Sequence, residues 1–146
     1  MGDNELLGTA SSLSRGAMRL VRRLHLQHPV HRLAPGQLSV LSHLHRRGPL
    51  TPSDLASADR IQPQSLTRNL TLLESEGLIS RQPDSSDGRR SLLVITETGS
   101  QELAEVFRQR DSWLAAAMAA KLTPTECELL RLAGELMERL AETADA

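Results

Sequence analysis

A short polar segment at residues 84–90 reads DSSDGRR and combines two carboxylates, a glycine and two adjacent arginines. It lies between two β-like runs, residues 78–82 and 91–95, whose lengths suit the strands of a hairpin. A guanidinium group presents a planar fork of N–H donors that matches the oxygens of an anion. We therefore expect this tip to contact an anionic partner, with Arg89 as the first candidate and Arg90 as the second.

The aspartates and the glycine of this tip have predicted supporting roles. Asp87 is close enough in sequence to pair with one of the arginines and hold it extended. Asp84 is expected to brace the loop or cap its backbone. Gly88 is expected to let the chain turn where a Cβ would obstruct it. The predicted contacts of the tip are Asp87, Gly88, Arg89 and Arg90.

A second set of polar side chains follows one face of a helix predicted over residues 63–76. This face contains no acid before Glu74, whereas a solvated face of that length usually carries acids or lysines. Gln and Asn side chains pair with adenine, Arg pairs with guanine, and Ser and Thr bind phosphate oxygens. The predicted DNA contacts of this segment are Gln62, Gln64, Ser65, Thr67, Arg68 and Asn69.

The elements that must position these residues have well-marked helix starts. Thr51-Pro52 and Thr123-Pro124 each place a capping threonine before a proline, with an acid at the third helical position. Apolar spacing and turn signals predict six helices, at residues 5–28, 35–47, 52–58, 63–76, 97–121 and 124–141. A leucine stripe of the fourth helix should pack on the second and third: Leu66, Leu70 and Leu73 on Leu41, Leu44 and Leu55. The element order predicts a mainly α fold with a small β wing, a winged helix-turn-helix with a two-to-three-stranded hairpin sheet.

Bulk composition narrows the class of protein. The chain has 146 residues, 39% of them hydrophobic, which suffices for one domain with a real core. Ten of the 18 acidic residues lie after position 96, away from the two predicted contact segments. No apolar run approaches the ~20 residues of a membrane span, and no apolar leader is visible. A single cysteine cannot form an intrachain disulfide, so we expect a cytoplasmic protein with no membrane partner.

Other chemistry is disfavoured by the residues present. The sequence shows no Gly-rich phosphate loop, nucleophile elbow or metal-ligand motif, so we expect no enzyme, no cofactor and no metal site. Cys127 lies between two glutamates, which disfavours a redox role. An aromatic content of 1% disfavours a platform for single-stranded nucleic acid. The five histidines lack nearby partners for zinc, and their role is left open: His25, His28, His31, His43 and His45.

These segments resemble the wing region of the MarR family of bacterial transcriptional regulators. The resemblance rests on GLISR at residues 77–81, DSSDGRR at 84–90 and ITETG at 95–99, and the helix order extends it over nearly the whole chain. Many members begin the tip with Asp-Pro and have a basic residue before the second aspartate. This chain departs from that pattern, with Ser85 and Ser86 at those positions.

The resemblance implies a homodimer that binds a pseudo-palindromic site in double-stranded DNA. Many members repress transcription and release DNA when a small molecule binds, so an effector of unknown identity belongs to this expectation. The family implies a dimerisation region at residues 1–34 and 97–146, and a winged DNA-binding region at residues 35–96. The alternative is a winged-helix protein-interaction module without sequence-specific DNA binding.

The outer helices give a physical reason for a dimer beside the resemblance. Apolar residues of the first and sixth helices cover more surface than one narrow stripe, and a single chain would leave them solvated. A second subunit would bury this excess in an obligate-type dimer and would relate two DNA readers by a twofold axis. The predicted dimer contacts are Leu13, Leu129, Leu132, Leu136 and Leu140.

Overall fold

The structure is a computed structural model and describes residues 2–26, 33–59 and 63–142. Within those residues the chain forms six helices and two strands, in the order α1 (Asp3–Leu26), α2 (Pro35–Arg47), α3 (Pro52–Asp59), α4 (Pro63–Ser75), β1 (Ile79–Pro83), β2 (Ser91–Ile95), α5 (Glu97–Lys121) and α6 (Pro124–Ala141). The predicted order is confirmed, and the predicted bounds agree to within two positions. The predicted end of the first helix, at residue 28, lies outside the described residues.

A leucine-rich core holds α2, α3 and α4 together. Its members from these helices are Leu38, Val40, Leu41, Leu44, Leu55, Leu66, Leu70 and Leu73. The predicted packing of the α4 stripe on α2 and α3 is therefore confirmed. The other members of the cluster lie outside these helices: Leu33, Leu78, Ile79, Leu93, Leu103 and Val106. Each buried leucine contributes about 2 kcal/mol of transfer free energy. This core fixes α4 in position and turns its opposite face to solvent.

Two reciprocal capping boxes begin α3 and α6. At α3, Thr51 Oγ1 accepts from the Asp54 N–H at 3.1 Å, and the Asp54 carboxylate accepts from the Thr51 N–H at 3.1 Å. At α6, Thr123 Oγ1 accepts from the Glu126 N–H at 3.3 Å, and the Glu126 carboxylate accepts from the Thr123 N–H at 2.7 Å. Since these N–H groups have no partner within their helices, the caps explain why both Thr-Pro pairs predicted a helix start.

The wing is an antiparallel hairpin of β1 and β2, in a register that places Ile79 opposite Ile95. Leu50, in the connection between α2 and α3, adds one bridge to Leu93 of β2 through backbone hydrogen bonds of 3.2 and 2.8 Å. The sheet thus has two strands and a one-residue third edge, in agreement with the predicted two-to-three-stranded hairpin. This bridge ties the wing to the start of the helix-turn-helix.

A tight joint connects the exit of α4 to the start of α5. Gly77 has a φ of 69°, a left-handed conformation that glycine adopts without strain. Thr96 Oγ1 donates to the Gly77 carbonyl at 2.7 Å and accepts from the Gly99 N–H at 3.0 Å, which caps α5. Gly99 has no room for a side chain, because a Cβ there would overlap the carbonyl oxygen of Leu78.

The chain divides into two compact units, Met1–Arg108 and Gln109–Ala146. The leucine-rich core belongs to the first unit, in which α1 has no buried residue. In the second unit, α6 has no buried residue. The predicted division into a winged region at residues 35–96 and a dimerisation region on either side stays a prediction. No helix in the described part of the chain combines the length and apolarity needed to cross a membrane.

Candidate nucleic-acid interface

The exposed face of α4 has three polar side chains at its centre. Gln64, Arg68 and Thr71 follow each other at spacings of four and three residues, so they lie on one stripe of the helix. All three are exposed, opposite the buried leucines, and the predicted contacts Ser65 and Thr67 are also exposed. The hydrogen-bonding groups of this face are therefore accessible to a partner. The predicted contact Gln62 lies outside the described residues.

Asn69 differs from the other predicted contacts of α4, because it is half-buried. Its side-chain amide lies against Gly36 in the first turn of α2. A Cβ on Gly36 would overlap Asn69 Nδ2 and would come within 3.3 Å of Asn69 Cγ. Asn69 therefore lies at the edge of the open face, since α2 covers one side of its amide, and its contact with DNA stays a prediction.

An ion pair offsets the acid near the end of α4. Arg81 Nε lies 2.5 Å from Glu74 Oε1, and the pair joins α4 to β1. The two side chains are 45% and 29% exposed, so the pair contributes only about 0.5 kcal/mol to stability. Its larger effect is electrostatic, because it compensates a carboxylate beside a face that is otherwise free of acids.

Hydrogen bonds within the wing tip close the loop. The Asp84 N–H donates to the Arg90 carbonyl at 3.0 Å, and the Arg90 N–H donates to the Asp87 carbonyl at 2.8 Å. The Asp84 carboxylate accepts from the N–H and the hydroxyl of Ser86 at 2.9 and 2.8 Å, which confirms its predicted role as a loop brace. These two bonds, the N–H first, lower the pKa of Asp84 below its usual value.

Asp87 acts on the backbone of Arg89 and not on its guanidinium group. The Asp87 carboxylate accepts from the Arg89 N–H at 3.1 Å. Among the ion pairs of the described residues, none joins Asp87 to an arginine. The predicted side-chain pairing is therefore wrong, because an aspartate readily accepts from the N–H two residues further on. Its brace holds the chain under Arg89 and leaves the exposed guanidinium unengaged by Asp87.

Gly88 is not required for the turn of the tip. Its φ does not lie in the left-handed range, and a Cβ built on it meets no atom within 4 Å. The prediction that a side chain would obstruct the turn is wrong, because the aspartate hydrogen bonds shape the loop with ordinary backbone angles. A side chain at position 88 would therefore fit without moving its neighbours.

The two arginines of the tip have different surroundings. Hydrogen bonds from Thr51 lower the pKa of Asp54, and the positive charge of Arg90 lowers it further. Arg90 also adds to the lowered pKa of Asp84, after the hydrogen bonds described above. Arg90 therefore lies within electrostatic reach of the start of α3 and of the loop base. Arg89 is exposed, as is Arg90, and its place as the first candidate contact stays a prediction.

Comparison with known proteins identifies the family of the chain. The MarR family model matches residues 33–91, from just before α2 to the first residue of β2. An HTH-type transcriptional regulator of Mycobacterium bovis is 37% identical over 133 residues, which cover 91% of this chain and 92% of that protein. The chain belongs to the MarR family.

Two further similarities agree with membership of the MarR family. The HTH-type transcriptional repressor MdtR of Bacillus subtilis is 30% identical over 113 residues, which cover 77% of this chain and 70% of that protein. A crystal structure from Pseudomonas aeruginosa, of a protein assigned as a transcriptional regulator, has a TM-score of 0.81 at 34% identity and covers 98% of this chain and 100% of that one. The predicted winged helix-turn-helix fold is confirmed. As a MarR-family member, the protein is a DNA-binding transcriptional regulator and not an enzyme.

The first unit of this MarR-family chain has two clefts that no pattern in the sequence predicted. One, of about 330 Å³, lies where α4 ends and α5 begins and is lined by Leu33, Ser75, Glu76, Leu78, Thr98 and Glu102. The other, of about 320 Å³, is lined by Ser42, His45, Arg46 and Phe107. Within the described segments no group of histidine, cysteine and acidic side chains could hold a metal ion. His28 and His31 lie outside those segments.

Sequence reasoning missed Gly36 and Arg81, which contact α4 of this MarR-family protein from other elements. A glycine in a helix costs about 1 kcal/mol relative to alanine, so Gly36 was a weak signal of close packing. Arg81 carried no signal, because its partner Glu74 lies on another element and only the fold brings them together.

Proposed function

We propose that this MarR-family regulator is a homodimeric repressor that binds a pseudo-palindromic site in duplex DNA. One observation carries the proposal: the exposed face of α4, without an acid before Glu74, adjoins a wing whose tip exposes Arg89. In a winged helix-turn-helix, α4 enters the major groove. The relative MdtR, which is named a repressor, supports repression as the direction of control. The protein acts in the cytoplasm.

The two elements have different tasks in this proposal. Gln64 pairs with adenine and Arg68 with guanine in the major groove, and each bidentate contact discriminates against a wrong base by about 1–3 kcal/mol. Ser65 and Thr67 bind phosphate oxygens and set the register of α4. Arg89 enters the minor groove, where a narrow A·T-rich stretch concentrates negative potential. The wing thus supplies affinity, and α4 supplies most of the specificity.

The outer helices support the homodimer. Leucines of α1 and α6 remain exposed in the single chain, from Leu20 at 40% to Leu7 at 69%. Patches of this kind on a regulator are covered by a partner, and a second copy of the chain is the economical one. The proposed dimer contacts are Leu13, Leu129, Leu132, Leu136 and Leu140.

A small-molecule effector releases the DNA in this proposal. The cleft of about 330 Å³ adjoins both the exit of α4 and the first turn of α5, and its volume meets the lower limit of common ligand sites. A ligand there would shift the end of the recognition helix. Because half-site spacing is fixed by DNA, a small displacement of one reader weakens binding of the pair.

Titration of duplex DNA at two salt concentrations tests the proposed function. An operator is first selected from random duplexes with the wild-type protein, and affinity is then measured for wild type, Arg89→Ala and Arg108→Ala. Arg108 pairs with Glu105 on α5 and is 70% exposed, so its variant is the matched control. We expect Arg89→Ala to bind more weakly on every duplex and with a smaller salt dependence, because fewer counterions are released. Arg108→Ala should behave as wild type.

The outcomes separate the competing functions. Absence of salt-dependent duplex binding by the wild type would overturn the DNA reader and leave the protein-interaction module. Unchanged affinity in Arg89→Ala would overturn the role of the wing alone. Arg68→Ala and Gln64→Ala should relax base preference at one position of each half-site while keeping the salt dependence.

A further inference from the structure

Gly36 in the first turn of α2 lies against the side-chain amide of Asn69 on α4. The Asn69 amide occupies the space where a Cβ of residue 36 would lie, with Nδ2 nearest, Cγ at 3.3 Å and Oδ1 at 3.7 Å from the Cβ position. Any side chain at position 36 would displace this amide. The contact therefore exists only because residue 36 is glycine.

The place of Asn69 on α4 gives this contact a functional meaning. The exposed stripe of Gln64, Arg68 and Thr71 lies on one side of Asn69, and the buried leucines lie on the other. Asn69 is half-buried at this border, where the open face of α4 meets the first turn of α2. One side of its amide is packed against Gly36, and the residue as a whole keeps part of its surface exposed.

We propose that Gly36 is a specificity-determining residue that acts through Asn69. The terminal torsion of an asparagine is soft, so a free amide samples many orientations. A bidentate contact with adenine requires one orientation of the amide plane, and packing against Gly36 holds that plane before DNA arrives. Gly36 itself is a positioning residue and does not touch the base. This inference rests on the proposed function, because Asn69 must meet DNA for its orientation to matter.

The variant Gly36→Ala tests the contact with little disturbance of the core. The colliding atoms belong to the end of one short side chain, so the amide can rotate away while the backbone of α2 and α4 stays in place. Gly8→Ala in α1 is the matched control, since its added Cβ meets nothing within 4 Å and it makes the same helical exchange. The double variant Gly36→Ala/Asn69→Ala removes the collision and restores room for the alanine.

The experiment measures affinity for the selected operator and for duplexes with single base-pair changes. We expect Gly36→Ala and Asn69→Ala to lose about tenfold in discrimination at the same position of each half-site. The double variant should lose no more than either single variant, because both changes abolish one contact. Affinity for non-specific DNA, its salt dependence and the thermal unfolding midpoint should remain those of Gly8→Ala, which a merely structural role for Gly36 would not predict.

Three results would overturn the inference: wild-type discrimination in Gly36→Ala, wild-type discrimination in Asn69→Ala, or additive losses in the double variant. If Gly36→Ala unfolds at a lower temperature, the double variant takes its place, because it lacks the collision. Its base discrimination is then compared with that of Asn69→Ala, and a larger loss in the double variant overturns the inference. Failure of the proposed function is distinguishable, because the wild-type protein would then bind no duplex.

Discussion

At the scale of single residues, the wing tip separates what the chain needs to fold from what it needs to bind. The aspartates shape the loop through hydrogen bonds to Ser86 and Arg89, whereas Gly88 has open space around it. Gly99 shows the opposite situation, because the Leu78 carbonyl occupies the place of its missing side chain. A side chain would therefore fit at position 88, whereas position 99 has no room for one.

A pair of alanine substitutions tests this difference. We expect Gly88→Ala to keep or slightly raise the free energy of unfolding, by up to about 0.4–1 kcal/mol, because alanine restricts the unfolded chain. Gly99→Ala should lower it by about 1–3 kcal/mol, since backbone must move to admit the Cβ. Urea unfolding of both variants measures the two effects. A loss in Gly88→Ala as large as that in Gly99→Ala would show that the tip does depend on its glycine.

At the scale of elements, the short helix α3 depends on its capping box. A helix of eight residues has little stability of its own, so the bonds at its first turn matter. The pKa of Asp54 is lowered from 3.8, first by the hydrogen bond from the Thr51 hydroxyl and then by that from the Thr51 N–H. A carboxyl whose pKa is depressed by folding stabilises the fold while it is ionised. That stabilisation is complete above pH 3.8 and is lost as the pH falls through the lowered value.

The variant Thr51→Ala should therefore have a pH-dependent effect. Near neutral pH we expect it to lower the free energy of unfolding by about 1 kcal/mol, through loss of the cap. The difference from wild type should shrink as the pH falls through the lowered pKa of Asp54, because below it the carboxyl is protonated in both proteins. Ser53→Ala is the control, because Ser53 is exposed and lies two residues further along the chain. This variant should differ little from wild type at any pH. A penalty independent of pH would contradict the role of Asp54 in the cap.

At the scale of the whole molecule, the exposed leucines of α6 are the proposed link between assembly and DNA binding. Leu136 is 53% exposed and shares a helical stripe with Leu129, Leu132 and Leu140. We expect Leu136→Glu to convert the dimer to a monomer, because a charge would be buried in the interface. Operator affinity should fall about a hundredfold, since the two readers would no longer bind as one unit.

Sedimentation velocity measures the assembly and a duplex titration measures the affinity. Glu138→Gln, on the polar side of the same helix, is the control and should remain dimeric with wild-type affinity. A Leu136→Glu protein that stays dimeric would remove this stripe from the proposed interface.

Local signals in the sequence predicted the helices and strands. They did not predict the contacts between residues far apart in the chain. Thr51-Pro52 and Thr123-Pro124 predicted two helix starts because capping is decided within one turn. The leucine stripe of α4 predicted the open face by its period. The contact of Asn69 with Gly36 depends on how α4 crosses α2, and no spacing within either helix contains that information. Gly88 misled the prediction because aspartate hydrogen bonds and a glycine can each produce the same turn.

The wing tip has a consequence for how such regulators diverge. The hydrogen bonds that shape it join Asp84, Ser86, Asp87, Arg89 and Arg90 to one another, and none of those given above reaches the leucine-rich core. Substitutions within the tip therefore cost the core little stability, so selection for folding removes few of them. We expect gene duplicates with this scaffold to change the length and charge of the tip early, and so to change their affinity for DNA while their cores remain interchangeable.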